Sequence, residues 1–137
     1  MKNIFYAVMI VSVLTLAACS APPSPSSAAV PVATATVPTD YAGMTNPLGA
    51  DEAQAGAALF KTNCEMCHGE LGHGDGPVGQ SLAPTPANLA KLNQVAGDDY
   101  LFWRINTGKP GTAMLGWKGV LTEEQIWQVV SFVRTLK

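Results

Sequence analysis

The chain has 137 residues, enough for one domain and too few for a multidomain enzyme. Only 13% of the residues are charged, against about 25% in ordinary globular domains, and residues 1–45 carry just Lys2 and Asp40 of them. Residues 46–137 hold seven basic and nine acidic side chains without a run of cations, which argues against nucleic acid as a partner, because neutralising phosphates takes clustered Lys and Arg.

Met1-Lys2-Asn3 is a short positive start, and residues 4–16 form an apolar run broken only by Ser12 and Thr15. These are the n-region and h-region of a secretory signal. As a membrane span, even residues 4–18 fall short of the roughly 20 residues required. The run closes on Leu16-Ala17-Ala18-Cys19, which resembles the lipobox of bacterial lipoproteins. That resemblance implies a signal over 1–18, acylation of Cys19 and anchoring in the lipid bilayer; the alternative is a plain signal-peptidase site beside an incidental cysteine. Of the 26 residues from Ser20 to Thr45, 19 are Ala, Pro, Ser or Thr. Such a segment buries too little apolar surface to offset its ordering entropy, so 19–45 is predicted to be a disordered tether. Extended at about 3.1 Å per residue, it would reach roughly 80 Å.

Residues 46–137 read as helices joined by Gly/Pro loops, an all-α domain. Asp51-x-x-Gln54 has the form of a helix start, and Ala53, Gly56, Ala57, Phe60 and Cys64 fall on one helical face, so a first helix is expected from Asp51 into Cys64. Gly69 to Pro86 holds five glycines and three prolines, which predicts a long loop without regular elements. Asp98 is placed to cap a short helix carrying Leu101, Phe102 and Ile105 and ending near Gly108. The last helix has the clearest signals. Thr122-x-x-Gln125 is a capping box flanked by the staple pair Leu121 and Ile126. Ile126, Val129, Val130, Val133 and Leu136 make its buried stripe, and Arg134 and Lys137 complement its C-terminal dipole.

Cys64-Glu65-Met66-Cys67-His68 is the C-x-x-C-H pattern of c-type haem attachment. Cysteines three apart on a helical turn face one side, where their sulfurs can join the two haem vinyl groups, and the next residue, His68, is then held beneath the ring to ligate iron. A thioredoxin-type pair expects a βαβ context and a zinc site expects a second ligand pair; the sequence has neither. With Cys19 assigned to lipid and Cys64 and Cys67 to haem, no thiol is left over.

From Asp51 onward the chain resembles the class I cytochromes c. Gly56, Phe60 and Cys64 have that family's four-residue spacing, and Val129 and Phe132 match the positions of the last helix that meet them. Gly76-Pro77-x-Gly79 is similar to the loop whose proline carbonyl accepts a hydrogen bond from the axial histidine, which implies a bond from His68 to Pro77. The resemblance also implies a methionine ligand on the stretch between the short helix and the last one, and Met114 lies there; a buried core methionine is the other reading of it. A proline often follows this ligand in the family, where the present chain has Leu115. His73 is the rival ligand, five residues past His68 and more naturally a solvated loop residue. Trp103, Arg104 and Trp117 flank the ligand loop and are implied contacts of the haem propionates, and Leu82, Pro84, Pro86 and Leu89 implied haem walls.

A haem held by both histidine and methionine has no open position for a small-molecule substrate, so the expected work is one-electron transfer. The expected protein is an exported, lipid-anchored monohaem cytochrome c serving membrane-bound redox complexes at the outer face of the cytoplasmic membrane or in the periplasm. Alternatives are a fixed haem subunit of a quinol-oxidising or terminal oxidase complex, and a sensor or peroxidase in which Met114 dissociates. Lys109 and Lys118, on either side of Met114, are candidate partner contacts.

Overall fold

The computed structural model describes residues 35–137; the signal-like segment, Cys19 and the first part of the tether lie outside the described residues. Five α-helices are formed among the described residues: α1 (Ala53–Asn63), α2 (Glu65–His68), α3 (Leu89–Leu92), α4 (Asp98–Thr107) and α5 (Glu123–Val133). None is long and apolar enough to cross a membrane. The only pairings of strand type among the described residues are two isolated bridges, Gly108 with Leu115 and Lys118 with Leu121.

The α1–α5 crossing organises the core. Gly56 lies so close to α5 that a Cβ there would clash with the Gln128 carbonyl oxygen. One turn on, the Phe60 and Phe132 rings meet at 4.9 Å between centroids. Helix α4 packs on the other side of α5, with Phe102 stacked on Trp127 at 4.2 Å. The capping box of α5 is complete: Thr122 accepts from the Gln125 N–H and Gln125 from the Thr122 N–H. Its expected stripe is buried at Ile126, Val129, Val130 and Val133 and half-buried at Leu136, and Trp127 joins it as a sixth member.

Several sequence expectations are corrected. The Asp51 capping signal is not used, because Ala50–Glu52 forms a tight 3-10 turn with Gly49 at its cap; Glu52 instead accepts from Gln128 Nε2 at 2.8 Å. Gly97 rather than Asp98 caps α4. Asp98 begins the helix and is taken up by longer-range partners, accepting from the Asn46 N–H at 3.0 Å and from Arg134 Nη2 at 2.6 Å. Burial alone would raise the Asp98 pKa, but Asn46 and Arg134 outweigh it and hold the carboxyl below its ordinary range. The loop 69–86 contains one 3-10 turn, Gly79–Ser81, and α3, capped by the Asn88 side chain on Lys91 N, follows it.

The largest correction concerns the tether. Residues 37–45 are not disordered. Val37, Tyr41, Met44 and Leu48 pack against the core, and a turn closes where the Ala42 N–H donates to the Pro38 carbonyl at 2.9 Å. Asn46 Nδ2 reaches the Trp127 carbonyl and, at 2.8 Å, Ser131 Oγ on α5. The compact part therefore starts near Val37 rather than at Asn46. Residues 37–48 thus form a strap against the core.

Helix propensity alone makes Gly56→Ala favourable by about 1 kcal/mol, whereas the contact with the Gln128 carbonyl makes it overpacking, which costs about 1–3 kcal/mol or more. Gly56→Ala is therefore expected to lower the thermal midpoint, by roughly 4–8 °C per kcal/mol in a domain of this size. An unchanged or raised midpoint in a melting experiment would contradict the crossing geometry.

Candidate cofactor site

All the long helices contribute to one cavity of about 450 Å³, within the range of small-molecule and cofactor sites. Phe60 and Cys64 come from α1 and its end, Cys67 and His68 from α2, Leu101 and Ile105 from α4, and Val129 and Val133 from α5. Its remaining walls are loops, and Leu82, Pro84, Pro86 and Leu89 all line it as expected. No carboxylate lines it; Arg104 and Lys109 do.

The attachment segment is built by a change of helix. Cys64 ends α1 with φ −122°, and its carbonyl then accepts from the N–H groups of Cys67 at 3.1 Å and His68 at 2.9 Å, which makes the single turn of α2. Gly69, at φ 78°, ends that turn. Cys64, Cys67 and His68 thus reach one cavity from consecutive turns. Both thiols are free. Burial, with the Cys67 charge adding to it, pushes the Cys64 thiol up to about 12, so it is held as an uncharged group among apolar neighbours. Among the described residues, no group of three or more His, Cys, Asp and Glu side chains converges as a cation would require.

Pro77 is not the partner of His68. The loop turns tightly over α2, with the Val78 N–H donating to the Met66 carbonyl at 3.0 Å, and this leaves Pro77 exposed and outside the cavity lining. The chain returns through Pro84-Thr85-Pro86, and the next carbonyl, that of Ala87, lies 3.2 Å from His68 Nδ1. A carbonyl only accepts, so Nδ1 carries the proton and Nε2 keeps its lone pair. Burial lowers the His68 pKa, with the Ala87 bond opposing it in part, and a neutral imidazole is the form that ligates metal.

Met114 lines the cavity, on a loop clamped at both ends. The Lys109 N–H donates to the Met114 carbonyl at 2.9 Å, and Thr112 Oγ1 donates to the Lys109 carbonyl at 2.8 Å while accepting from the Met114 N–H. The role of Thr112 was not read from the sequence. His73 is exposed outside the cavity, with Nε2 3.5 Å from the Lys137 carbonyl.

The three propionate candidates separate. Trp117 and Arg104 line the cavity; Trp103 does not. Its indole instead supports the Arg104 guanidinium, 3.8 Å from the ring centroid, with the Tyr100 ring at 5.5 Å. Arg104 Nη1 donates to the Gly108 carbonyl at 3.3 Å, while Nε is buried without a partner. A buried donor left unpaired costs about 1–3 kcal/mol, so an acceptor on a bound group would be well matched to it. The fit to a haem is therefore good: an apolar slot, two thiols and an imidazole on one side, a thioether from another loop, and a cation with a spare donor for an anionic substituent.

Comparison with known proteins bears on the same segment. The family described as cytochrome c oxidase, cbb3-type, subunit III matches residues 51–133. Cytochrome c oxidase subunit 2 of Bacillus sp. (strain PS3) is 31% identical over 93 residues, which cover 62% of this chain and 26% of that protein. The chain thus spans about a quarter of the length of that relative. A chain of the Kuenenia stuttgartiensis reducing HAO-like protein complex shares the fold, with a TM-score of 0.58 at 21% identity over 69% of this chain and 50% of that one.

Proposed function

The chain belongs to the cytochrome c oxidase, cbb3-type, subunit III family, and from that premise we propose that it holds one haem c and carries single electrons to or from a membrane-bound redox complex. The observation that carries the proposal is the meeting of Cys64, Cys67, His68 and Met114 on one cavity free of carboxylates. Cys64 and Cys67 would bind the haem covalently, His68 and Met114 would ligate the iron, and Arg104 and Trp117 would face the propionates. When bound, the haem supplies one-electron exchange between iron(II) and iron(III), with a thioether ligand favouring the reduced form.

The protein's own contribution is positioning and exclusion of water. Ala87 fixes the His68 ring and its tautomer, and such a bond raises ligand basicity. Leu82, Pro84, Pro86 and Leu89 keep the walls apolar. The clamped loop presents Met114 and so leaves no place for a substrate, which favours a carrier over a sensor or peroxidase. At the mouth, Leu115 and Val120 are 78% and 70% exposed, with the exposed Lys109 and Lys118 on the same loop. This rim supports a small contact with a redox partner, and such contacts are typical of electron-transfer encounters.

Anchoring belongs to the same proposal. Acylated Cys19 would hold the domain at the outer face of the membrane, and the chain before the strap would let it search for membrane-bound partners at raised effective concentration. Cys19→Ala is expected to move the protein from the membrane to the soluble fraction with an unchanged haem spectrum; an unchanged distribution would exclude acylation as the sole anchor.

The ligand assignment is tested by Met114→Ala. Loss of the thioether is expected to lower the midpoint potential and to let carbon monoxide and cyanide bind, while His73→Ala leaves spectrum and potential as they were. Spectra alike for wild type and Met114→Ala, or a shift confined to His73→Ala, would overturn it.

A further inference from the structure

The strap lies before the segment matched by the family, which begins at residue 51, yet it is bonded to the helix from which the methionine loop springs. Tyr41 packs its ring against Phe102 at 6.2 Å between centroids and accepts from Asn106 Nδ2 at 3.0 Å. Asn106 is the penultimate residue of α4, and its backbone serves the loop. The Lys118 N–H donates to the Asn106 carbonyl at 3.0 Å, beside the bond from the Trp117 N–H to the Ile105 carbonyl at 2.9 Å. Gly116 lies against the same carbonyl, so closely that a Cβ there would stand 2.7 Å from it. Asn106 is therefore the residue at which two otherwise separate segments attach, the strap through its side chain and the far arm of the Met114 loop through its carbonyl.

We infer that Tyr41 is a positioning residue for Met114, acting through Asn106. The inference rests on the proposed role of Met114 as an iron ligand. The near arm of the loop is already closed by its own bonds between Lys109, Thr112 and Met114. The far arm closes on itself only beyond Trp117, whose carbonyl accepts from the Val120 and Leu121 N–H groups, and its attachment to α4 runs through the Ile105 and Asn106 carbonyls. Without the Tyr41 hydroxyl the half-buried Asn106 side chain turns to water, and the backbone carbonyl of the same residue loses that brace. Holding Asn106 from behind keeps the far arm seated and the sulfur directed to the cavity. The chain thus uses residues outside the shared family segment to brace its own ligand loop.

The test uses the full-length haem-loaded protein and Tyr41→Phe, which keeps the ring on Phe102 and removes only the hydroxyl. Two quantities are read well below the thermal midpoint: amide hydrogen exchange at Trp117 and Lys118, and the affinity of the ferric protein for added imidazole, which competes with Met114. Both are expected to rise by roughly two- to tenfold, the effect of one lost hydrogen bond, with amides at the α1–α5 crossing unchanged. Asn106→Ala should give the same rise, and adding Tyr41→Phe to it should give no more. Asn93→Ala, whose side chain bonds Arg134 and Leu136 and no residue of the loop, should lower the thermal midpoint without either change. Met114→Ala, measured alongside, separates the two levels. If it raises imidazole affinity and Tyr41→Phe changes neither quantity, or speeds exchange equally throughout the domain, the positioning role is overturned. If Met114→Ala itself leaves imidazole affinity unchanged, the ligand assignment fails, and faster exchange at Trp117 and Lys118 alone would show a strap that braces the loop for another purpose.

Discussion

The close crossing of α1 over α5 at Gly56 is the constraint on which the site depends. Two backbones approach there without a side chain between them, and Phe60 and Phe132 close the gap one turn further on. This fixes the end of α1, and with it Cys64, against the face of α5 that supplies Val129 and Val133 to the cavity. Because α2 begins at Cys64 and is a single turn long, Cys67 and His68 inherit the same placement. A short helix of this kind has almost no stability of its own; it keeps its shape because α1 delivers it and the glycine loop lies across it.

The wall that carries Met114 is held differently. It consists of a loop and the end of α4, and polar bonds rather than a helix crossing set its geometry: the Lys109–Thr112–Met114 closure on one arm and the Ile105 and Asn106 carbonyls on the other. The Asp98 carboxylate ties the start of α4 to the end of α5 and to the strap at once. Between the two walls the lining is apolar, with its cations at the edge and no acid among its residues. That arrangement suits a flat, largely apolar ligand with anionic substituents.

What was legible in the sequence was whatever rests on local chemistry. Thr122 and Gln125 announce α5 because a capping box is closed within four residues, and Cys64, Cys67 and His68 announce the attachment turn because their spacing is the chemistry. What was not legible depends on partners distant in the chain. Pro77 offers the carbonyl of a proline and Ala87 that of the residue after one, and only the fold of the loop over α2 decides that Ala87 faces His68. Asp98 looked like a cap because nothing in the local sequence reveals Asn46 or Arg134. Trp103 and Arg104 are neighbours with different roles, one stacked beneath the other. The strap was hidden by its composition: its Ala, Pro and Thr content is that of a linker, while Tyr41, Met44 and Leu48 recur at the three- and four-residue intervals that put them on one side against the core.

The account stands or falls on covalent attachment at Cys64 and Cys67, since both cysteines, His68 and the cavity are explained by it together. The direct measurement is the mass of the denatured protein, purified from a host that matures c-type cytochromes and extracted with acidified organic solvent. The account predicts that the chain retains the added mass of one haem, and that a peptide spanning residues 64–68 carries it. An unmodified chain, with haem released into the solvent and both thiols free to react, would contradict it.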